Sequence, residues 1–172
     1  MRQIDDTHED FSAFVAATST RLMRSAYLLT TSRAGAEDLL QTTFAKAYAS
    51  WHRVKAAADP VGYVHGILFH TFISDRRRRS THEQPVERPP DVAVTEHDPL
   101  PRLVLEDALR TLAPVDRAVL VLRFFDDLSV AETAARLRLS EAAVKTRSMR
   151  ALRSLRPVLG EYRNTASKGT NG

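Results

Sequence analysis

Basic side chains are the most prominent candidate functional residues of this chain, and they are concentrated in one segment of the sequence. Between residues 136 and 156 there are seven basic residues and one acidic residue, which gives a net charge of +6. The seven are Arg136, Arg138, Lys145, Arg147, Arg150, Arg153 and Arg156. This density favours a polyanion, because cations that neutralise phosphates release condensed counterions. A solvated basic helix of an ordinary bundle has the same charge, so the surrounding pattern must decide.

The residues around this charge have the pattern of a helix-turn-helix. Ser129 is a suitable N-cap with Glu132 three residues later, and Ser140 is a second N-cap. Two capped helices joined by about four residues can place the second helix in the DNA major groove. Arg138 stands in the turn between them. If its backbone is left-handed, the arginine costs on the order of 1 kcal/mol relative to glycine.

A second basic group follows a predicted helix over about residues 60–78. It consists of Arg76, Arg77, Arg78 and Arg79, which we call the arginine collar. Arginines at a helix C-terminus interact favourably with the helix dipole. Four in a row exceed that need and point around the helix, which suits phosphate binding.

Aromatic and histidine side chains precede the arginine collar on the same helix. Tyr63, Phe69 and Phe72 could stack on unpaired bases, although Tyr63 and Phe72 also suit an apolar core, which is the commoner role of aromatic residues. His65 and His70 are five residues apart with no carboxylate cluster, so we predict neither a metal site nor a cofactor.

The elements that must position these residues are helices. Apolar stripes predict three helices in the first half, over about residues 6–30, 33–51 and 60–78. In the second half we predict helices over about residues 103–112 and 116–125, followed by the helix-turn-helix. The stretch 119–125, VLVLRFF, favours a strand by composition but lies in a helical frame. The predicted fold is all-α.

Composition divides the chain into two small helical domains. Residues 81–100 hold four prolines, five acidic residues and one basic residue, and Pro101 follows directly, which predicts a flexible acidic linker. A long loop within one domain is the alternative, but such loops are uncommon in compact folds. We therefore predict domains over residues 1–80 and 101–163, with a disordered polar tail over residues 164–172.

Several classes of protein are disfavoured. The chain contains no cysteine, which excludes disulfides and thiolate zinc sites and is consistent with the cytoplasm. The acidic N-terminus is unlike a signal peptide, and no apolar run approaches the roughly 20 residues of a membrane span. Catalysis on nucleic acid requires clustered carboxylates or a nucleophile. The adjacent acidic pairs at 106–107 and 126–127 are expected on a solvated helix face and at a turn, so no catalytic residue is predicted.

Three stretches together resemble a known family. Residues 36–54, AEDLLQTTFAKAYASWHRV, and residues 59–79, DPVGYVHGILFHTFISDRRRR, are similar to the polymerase-binding and promoter-melting helices of bacterial RNA polymerase sigma factors. Residues 109–156 resemble the fourth sigma domain. The order and spacing of these stretches and the small size of the chain resemble the extracytoplasmic-function group of the sigma-70 family. The detailed sequence looks most like the actinobacterial members of that group.

The resemblance implies partners and site residues. Asp38, Gln41 and Phe44 match positions that engage the clamp helices of the largest polymerase subunit, and the second domain would meet the flap of the second-largest subunit. Positions facing the promoter −10 element are Tyr63, His70, Arg76, Arg77, Arg78 and Arg79. Those facing the −35 element are Ser140, Lys145, Thr146, Arg147, Met149 and Arg150, with Ser140 and Arg147 at phosphates. An anti-sigma factor is a further implied partner, and no membrane is expected.

The chain departs from the family pattern at a few of these positions. Thr42 stands where a carboxylate is frequent, and His70 replaces a frequent asparagine. Lys145 stands where arginine is frequent, and because lysine lacks the bidentate fork its preference for guanine should be softer.

Two other functions remain open at this point. A stand-alone helix-turn-helix regulator would be expected to dimerise on a two-fold operator, and no heptad segment or other dimer helix is evident. A nuclease or recombinase is the third hypothesis. The sigma factor hypothesis accounts for both basic groups and requires no nucleotide-hydrolysis motif.

Overall fold

The computed structural model describes residues 2–81 and 99–168, and both stretches are almost entirely helical, without a strand in either. The first contains α1 (Arg2–Thr30), α2 (Arg33–Ala49), α3 (Trp51–Ala56) and α4 (Pro60–Thr81). The second contains α5 (Pro99–Thr111), α6 (Pro114–Leu120), a π-helical turn (Val121–Phe125), α7 (Val130–Leu137) and α8 (Glu141–Lys168). The all-α prediction is confirmed. Most of the predicted linker, residues 82–98, lies outside the described residues.

The first four helices form a bundle whose starts are determined by short polar side chains. Ser32 caps α2 by accepting a hydrogen bond from Gly35 N, at 3.2 Å. Asp59 caps α4, because its Oδ1 accepts from Gly62 N at 2.9 Å. Between these helices the core is filled by large buried side chains, among them Leu22, Leu40, Leu68 and Phe69.

The predicted second helix is divided in the structure. α2 ends at Ala49, and Trp51 begins the short helix α3. The indole of Trp51 is buried and meets the rings of Phe11 and Phe14 edge-on, with centroids 5.1 and 5.2 Å apart. The break turns the chain so that this large aromatic ring closes one end of the bundle.

In the second half, α5, α6 and α8 pack around Leu109, Leu120, Ala151 and Leu155. The stretch predicted as helix over 116–125 is helical, but its last residues widen into the π-helical turn. There Asp126 N donates to Val121 O at 2.9 Å.

The helix-turn-helix is present with both predicted caps. Ser129 and Glu132 form a reciprocal capping box on α7, and Ser140 Oγ accepts from Ala143 N at 3.1 Å at the start of α8. Arg138 ends α7 in the left-handed region, with φ 55° and ψ 43°. α8 continues to Lys168, so residues 164–168, which we expected in a disordered tail, are helical. No glycine or proline interrupts that last stretch, whereas residues 169–172 are not described.

The two halves also contact one another directly, which the sequence did not predict. One continuous apolar cluster contains Leu22 and Phe69 of the first half together with Val119, Leu122 and Leu137 of the second. Apolar stripes reveal which side of a helix is buried but not which partner covers it. Among the described helices, none is both long and apolar enough to span a membrane.

Candidate nucleic-acid interface

One face of α8 exposes the residues predicted to read DNA bases. Lys145, Thr146, Met149 and Arg150 are all exposed along two turns, and we call this set the recognition face. Met149 is 64% exposed, an unusual position for a large apolar side chain in the middle of a helix. Apolar side chains in the major groove contact the methyl group of thymine, so Met149 can contribute to base readout.

Arg150 of the recognition face and Arg147 beside it both pair with a buried carboxylate. Asp116, in the first turn of α6, accepts from Arg147 Nη1 at 2.7 Å and lies 3.6 Å from Arg150 Nη1. Arg147 is therefore half-buried, whereas Arg150 still extends into solvent. The sequence singled out both arginines but offered no signal for the carboxylate beneath them. Ser140 is exposed, but its hydroxyl is engaged in capping α8, which leaves the helix N-terminus as the adjoining anion-attracting feature.

The arginine collar is divided by burial. Arg77, Arg78 and Arg79 are exposed at the end of α4, whereas Arg76 is half-buried. The Arg76 guanidinium lies over the Phe72 ring, 5.7 Å from its centroid. Burial and the neighbouring charge of Arg79 lower the pKa of Arg76. The three exposed arginines are thus better placed to meet phosphates than Arg76.

The aromatic residues of α4 separate into core and surface. Phe69 and Phe72 are buried, which for Phe72 agrees with the core position that the sequence also suggested. Tyr63 instead is 39% exposed. Of the aromatic residues singled out on α4, Tyr63 alone presents a ring to solvent on which an unpaired base could stack.

The face of α4 that carries His70 is covered by α7. His70 Nε2 donates to the backbone carbonyl of Arg136 at 3.0 Å. The Arg136 side chain lies across Gly62 and Gly66, because a Cβ on Gly62 would come within 2.8 Å of its guanidinium and one on Gly66 within 3.7 Å of its Cδ. Arg136, counted above in the basic segment, is only 19% exposed and lies in the contact between the halves.

A buried polar network continues from Arg136 into the first half. Arg136 Nη1 donates to His65 Nδ1 at 2.9 Å, and His65 Nε2 lies 3.1 Å from Asp126 Oδ2. Ser25 donates to the same carboxylate at 3.0 Å, and Asp59 lies 3.7 Å from Arg136. Because arginine only donates, His65 must accept at Nδ1 and donate from Nε2, which corresponds to one neutral tautomer. Asp126 lies at a turn, as expected, but its carboxylate points into the contact between the halves.

A second group of polar contacts joins the C-terminal end of α1 to α5 and α6. The Tyr27 hydroxyl donates to Glu106, and burial together with that carboxylate raises the pKa of Tyr27. Glu106 is buried, which corrects the expectation that it lies on a solvated helix face. Arg117 donates to Leu29 O at 2.7 Å, and burial lowers the pKa of its guanidinium to about 10.

The predicted polymerase-binding residues on α2 do not share one face. Asp38 and Gln41 are exposed on adjacent turns, as predicted. Phe44 instead is half-buried and packs edge-on against Phe11, with ring centroids 6.3 Å apart. At about 100° per residue Phe44 lies roughly 120° around the helix from Asp38. The structure thus brings two of the three together and places the third against the core.

Comparison with known proteins agrees with this architecture. Residues 14–82 match the family described as Sigma-70 region 2, and residues 102–155 match Sigma-70, region 4. The chain is 35% identical to the RNA polymerase sigma-E factor of Streptomyces coelicolor over 154 residues, covering 87% of this chain and 86% of that protein. It is 31% identical to the ECF RNA polymerase sigma factor SigL of Mycobacterium tuberculosis, covering 81% and 83%.

Solved structures show the same fold. The sigma factor RpoE, crystallised with the anti-sigma factor NepR from Bartonella quintana, superposes with a TM-score of 0.74 at 22% identity, covering 88% of this chain and 98% of that one. CnrH in complex with the cytosolic domain of CnrY gives 0.63 at 23% identity, with 90% of each chain covered. The paired regions and the relatives together establish that the chain belongs to the sigma-70 family, within its extracytoplasmic-function group of RNA polymerase sigma factors.

Proposed function

We propose that this chain binds core RNA polymerase in the cytoplasm and directs it to promoters as a dissociable subunit without catalytic activity of its own. Membership of the sigma factor family carries the proposal. Two separate surfaces support it, namely the polar stripe of Asp38 and Gln41 on α2 and the recognition face on α8. A stand-alone DNA-binding regulator would have no use for the first surface.

For the −35 element, the recognition face reads bases while Arg147 and the N-terminus of α8 near Ser140 contact phosphates. Three exposed polar or cationic side chains and the exposed Met149 support this assignment. Cations beside a helix N-terminus create the positive potential that holds a phosphate backbone in register.

For the −10 element, Tyr63 and His70 contact the melted strand while the arginine collar holds its backbone. The exposed ring of Tyr63 supports this assignment, because aromatic stacking stabilises an unpaired base without the need for nucleotide hydrolysis. Arg77, Arg78 and Arg79 would supply most of the phosphate contact, with Arg76 behind them.

For polymerase, Asp38 and Gln41 meet the clamp helices of the largest subunit, Phe44 supports their helix from the core side, and the second half meets the flap of the second-largest subunit. RpoE was solved with the anti-sigma factor NepR, and CnrH with the cytosolic domain of CnrY, so we include an anti-sigma factor among the partners of this chain.

The experiment that tests the proposal is run-off transcription with purified core polymerase and a library of promoters. The chain should select a subset of promoters with shared −35 and −10 sequences. Asp38→Ala combined with Gln41→Ala should weaken core association in a titrated pull-down, whereas Glu9→Ala, which removes an exposed carboxylate of α1, should not. DNA binding without any promoter-directed transcript would instead favour a stand-alone regulator.

A further inference from the structure

Asp116 is a buried carboxylate that lies beneath two arginines of the recognition helix. Only 4% of its side chain is exposed. One oxygen accepts from Arg147 at 2.7 Å, and the other lies 3.6 Å from Arg150. The two arginines are three residues apart and so are neighbours on one side of α8. A single side chain of α6 thus contacts two cations that approach DNA.

Stability alone is a weak explanation for this arrangement. A buried ion pair stabilises a fold little more than apolar packing does, because the free-energy cost of removing a carboxylate from water offsets the attraction between the charges. The arginines also keep 31% and 60% of their side chains exposed. Each guanidinium has five N–H donors, so donors that Asp116 does not use remain available on the solvent side.

We propose that Asp116 is a positioning residue for promoter recognition, which orients Arg147 and Arg150 before DNA arrives. This inference rests on the proposed function. A free arginine loses rotamer freedom when it binds, whereas one already oriented by a carboxylate loses less. The carboxylate also offsets part of the positive charge that attracts any duplex. Asp116 therefore favours discrimination between sequences over general affinity for DNA.

The test compares Asp116→Asn with Asp107→Asn in the full-length chain. Asp107 is the matched control, because it is an exposed carboxylate of the same half that pairs with Arg110 at 2.6 Å and lies on α5. The probes are a duplex carrying the −35 sequence selected in the run-off experiment, the same duplex with single bases changed, and an unrelated duplex of equal length.

Asp116→Asn should lower the affinity ratio between selected and altered duplexes about threefold to tenfold, the range expected when one side chain loses its preordering. Its affinity for the unrelated duplex should stay equal or rise. Asp107→Asn should leave the ratio unchanged. In an Arg147→Ala background, Asp116→Asn should change the ratio less, because one of the two side chains through which it acts is gone.

Other outcomes have definite meanings. Equal ratios for wild type and both variants overturn the positioning role. A loss of affinity that is proportional for every duplex, with a lowered melting temperature, marks a purely structural role and overturns it as well. A wild-type chain that directs no promoter-specific transcript in the run-off experiment overturns the proposed function itself, and that result is visible before any variant is compared.

Discussion

Arg136 of α7 donates to Nδ1 of His65 on α4 at 2.9 Å, and this bond joins the two halves of the chain. His65 is 2% exposed, and its other nitrogen is directed at Asp126. Every polar atom of the imidazole ring is thus satisfied by the second half. The contact links the helix proposed to bind the −10 element to the first helix of the helix-turn-helix.

Arg136→Ala should loosen the contact between the halves. It removes the hydrogen bond to His65 and the ion pair with Asp59, and hydrogen bonds that involve a charged group contribute about 1.5–3 kcal/mol. We expect faster amide exchange in residues 62–70 of α4. Arg153→Ala is the control, since it removes the same charge from an exposed position of α8. Unchanged exchange in α4 would show that the Arg136 side chain contributes little to the contact between the halves.

Two glycines on α4 should respond differently to alanine. A Cβ on Gly66 would meet Arg136 Cδ at 3.7 Å, an ordinary contact, so Gly66→Ala should stabilise the chain by about 0.5–1 kcal/mol. A Cβ on Gly62 would lie 2.0 Å from Asp59 Oδ2, so Gly62→Ala must displace the cap of α4 and should gain nothing. Chemical denaturation of both variants measures the difference, and equal stabilisation would contradict the placement of Asp59.

Arg138→Gly should stabilise the helix-turn-helix by about 1 kcal/mol, because its backbone has a φ of 55°, where a side chain is strained. Arg138→Lys keeps both the charge and the strained backbone, so it should have little effect. The free energy of unfolding of the two variants distinguishes backbone relief from charge. A glycine variant no more stable than the lysine variant would mean that the strain is absorbed elsewhere.

Glu132 should make the capping of α7 sensitive to acid. The backbone N–H of Ser129 lowers the pKa of Glu132 below its ordinary value of 4.5. A lowered folded-state pKa means that the stabilisation is present above the unfolded-state pKa and is lost as pH falls through the folded-state value. The stability difference between wild type and Glu132→Gln should therefore shrink as pH falls below about 4.5. Glu37→Gln serves as the exposed control, and a pH-independent difference would argue against the capping box.

Substitutions on α8 should distinguish residues that read bases from residues that bind phosphates. Lys145→Ala should cost about 1–3 kcal/mol at the selected −35 sequence and flatten base preference. Arg153→Ala should weaken binding to all duplexes alike and reduce the salt slope by roughly one contact. Binding to single-base variants at two salt concentrations measures both effects. If the two variants exchange these behaviours, the placement of α8 in the groove is wrong.

Local features were accessible from the sequence because they depend on residues close in the chain. The caps at Ser129, Ser140 and Asp59 follow from the polar side chain and the backbone N–H groups two or three residues later. The left-handed backbone at Arg138 follows from the short turn between two such helices. These are properties of a few residues and need no knowledge of the tertiary fold.

The contacts between the halves could not be predicted from the sequence, because they join residues that are far apart in the chain. Ser25 and Asp126 are about a hundred residues apart, and nothing in either residue type indicates the other. Phe44 was grouped with Asp38 by family resemblance, although its angular position turns it toward Phe11. Glu106 was expected on a solvated face because carboxylates usually are exposed, and its burial depends on the tyrosine and arginine that meet it.

The hydrogen bond between His70 and the Arg136 carbonyl bears on promoter binding through the populations of two forms of the chain, one with the halves in contact and one with the halves apart. The −10 and −35 elements are about 25 base pairs apart, or about 85 Å of B-form DNA, whereas α4 and α7 are in contact. If α4 binds the −10 element and the helix-turn-helix binds the −35 element, as proposed, one molecule can engage both elements only after these helices separate. Its apparent affinity for a promoter is then the intrinsic affinity multiplied by the fraction of molecules already separated. Any partner that binds the separated form raises that fraction, and any partner that binds the joined form lowers it.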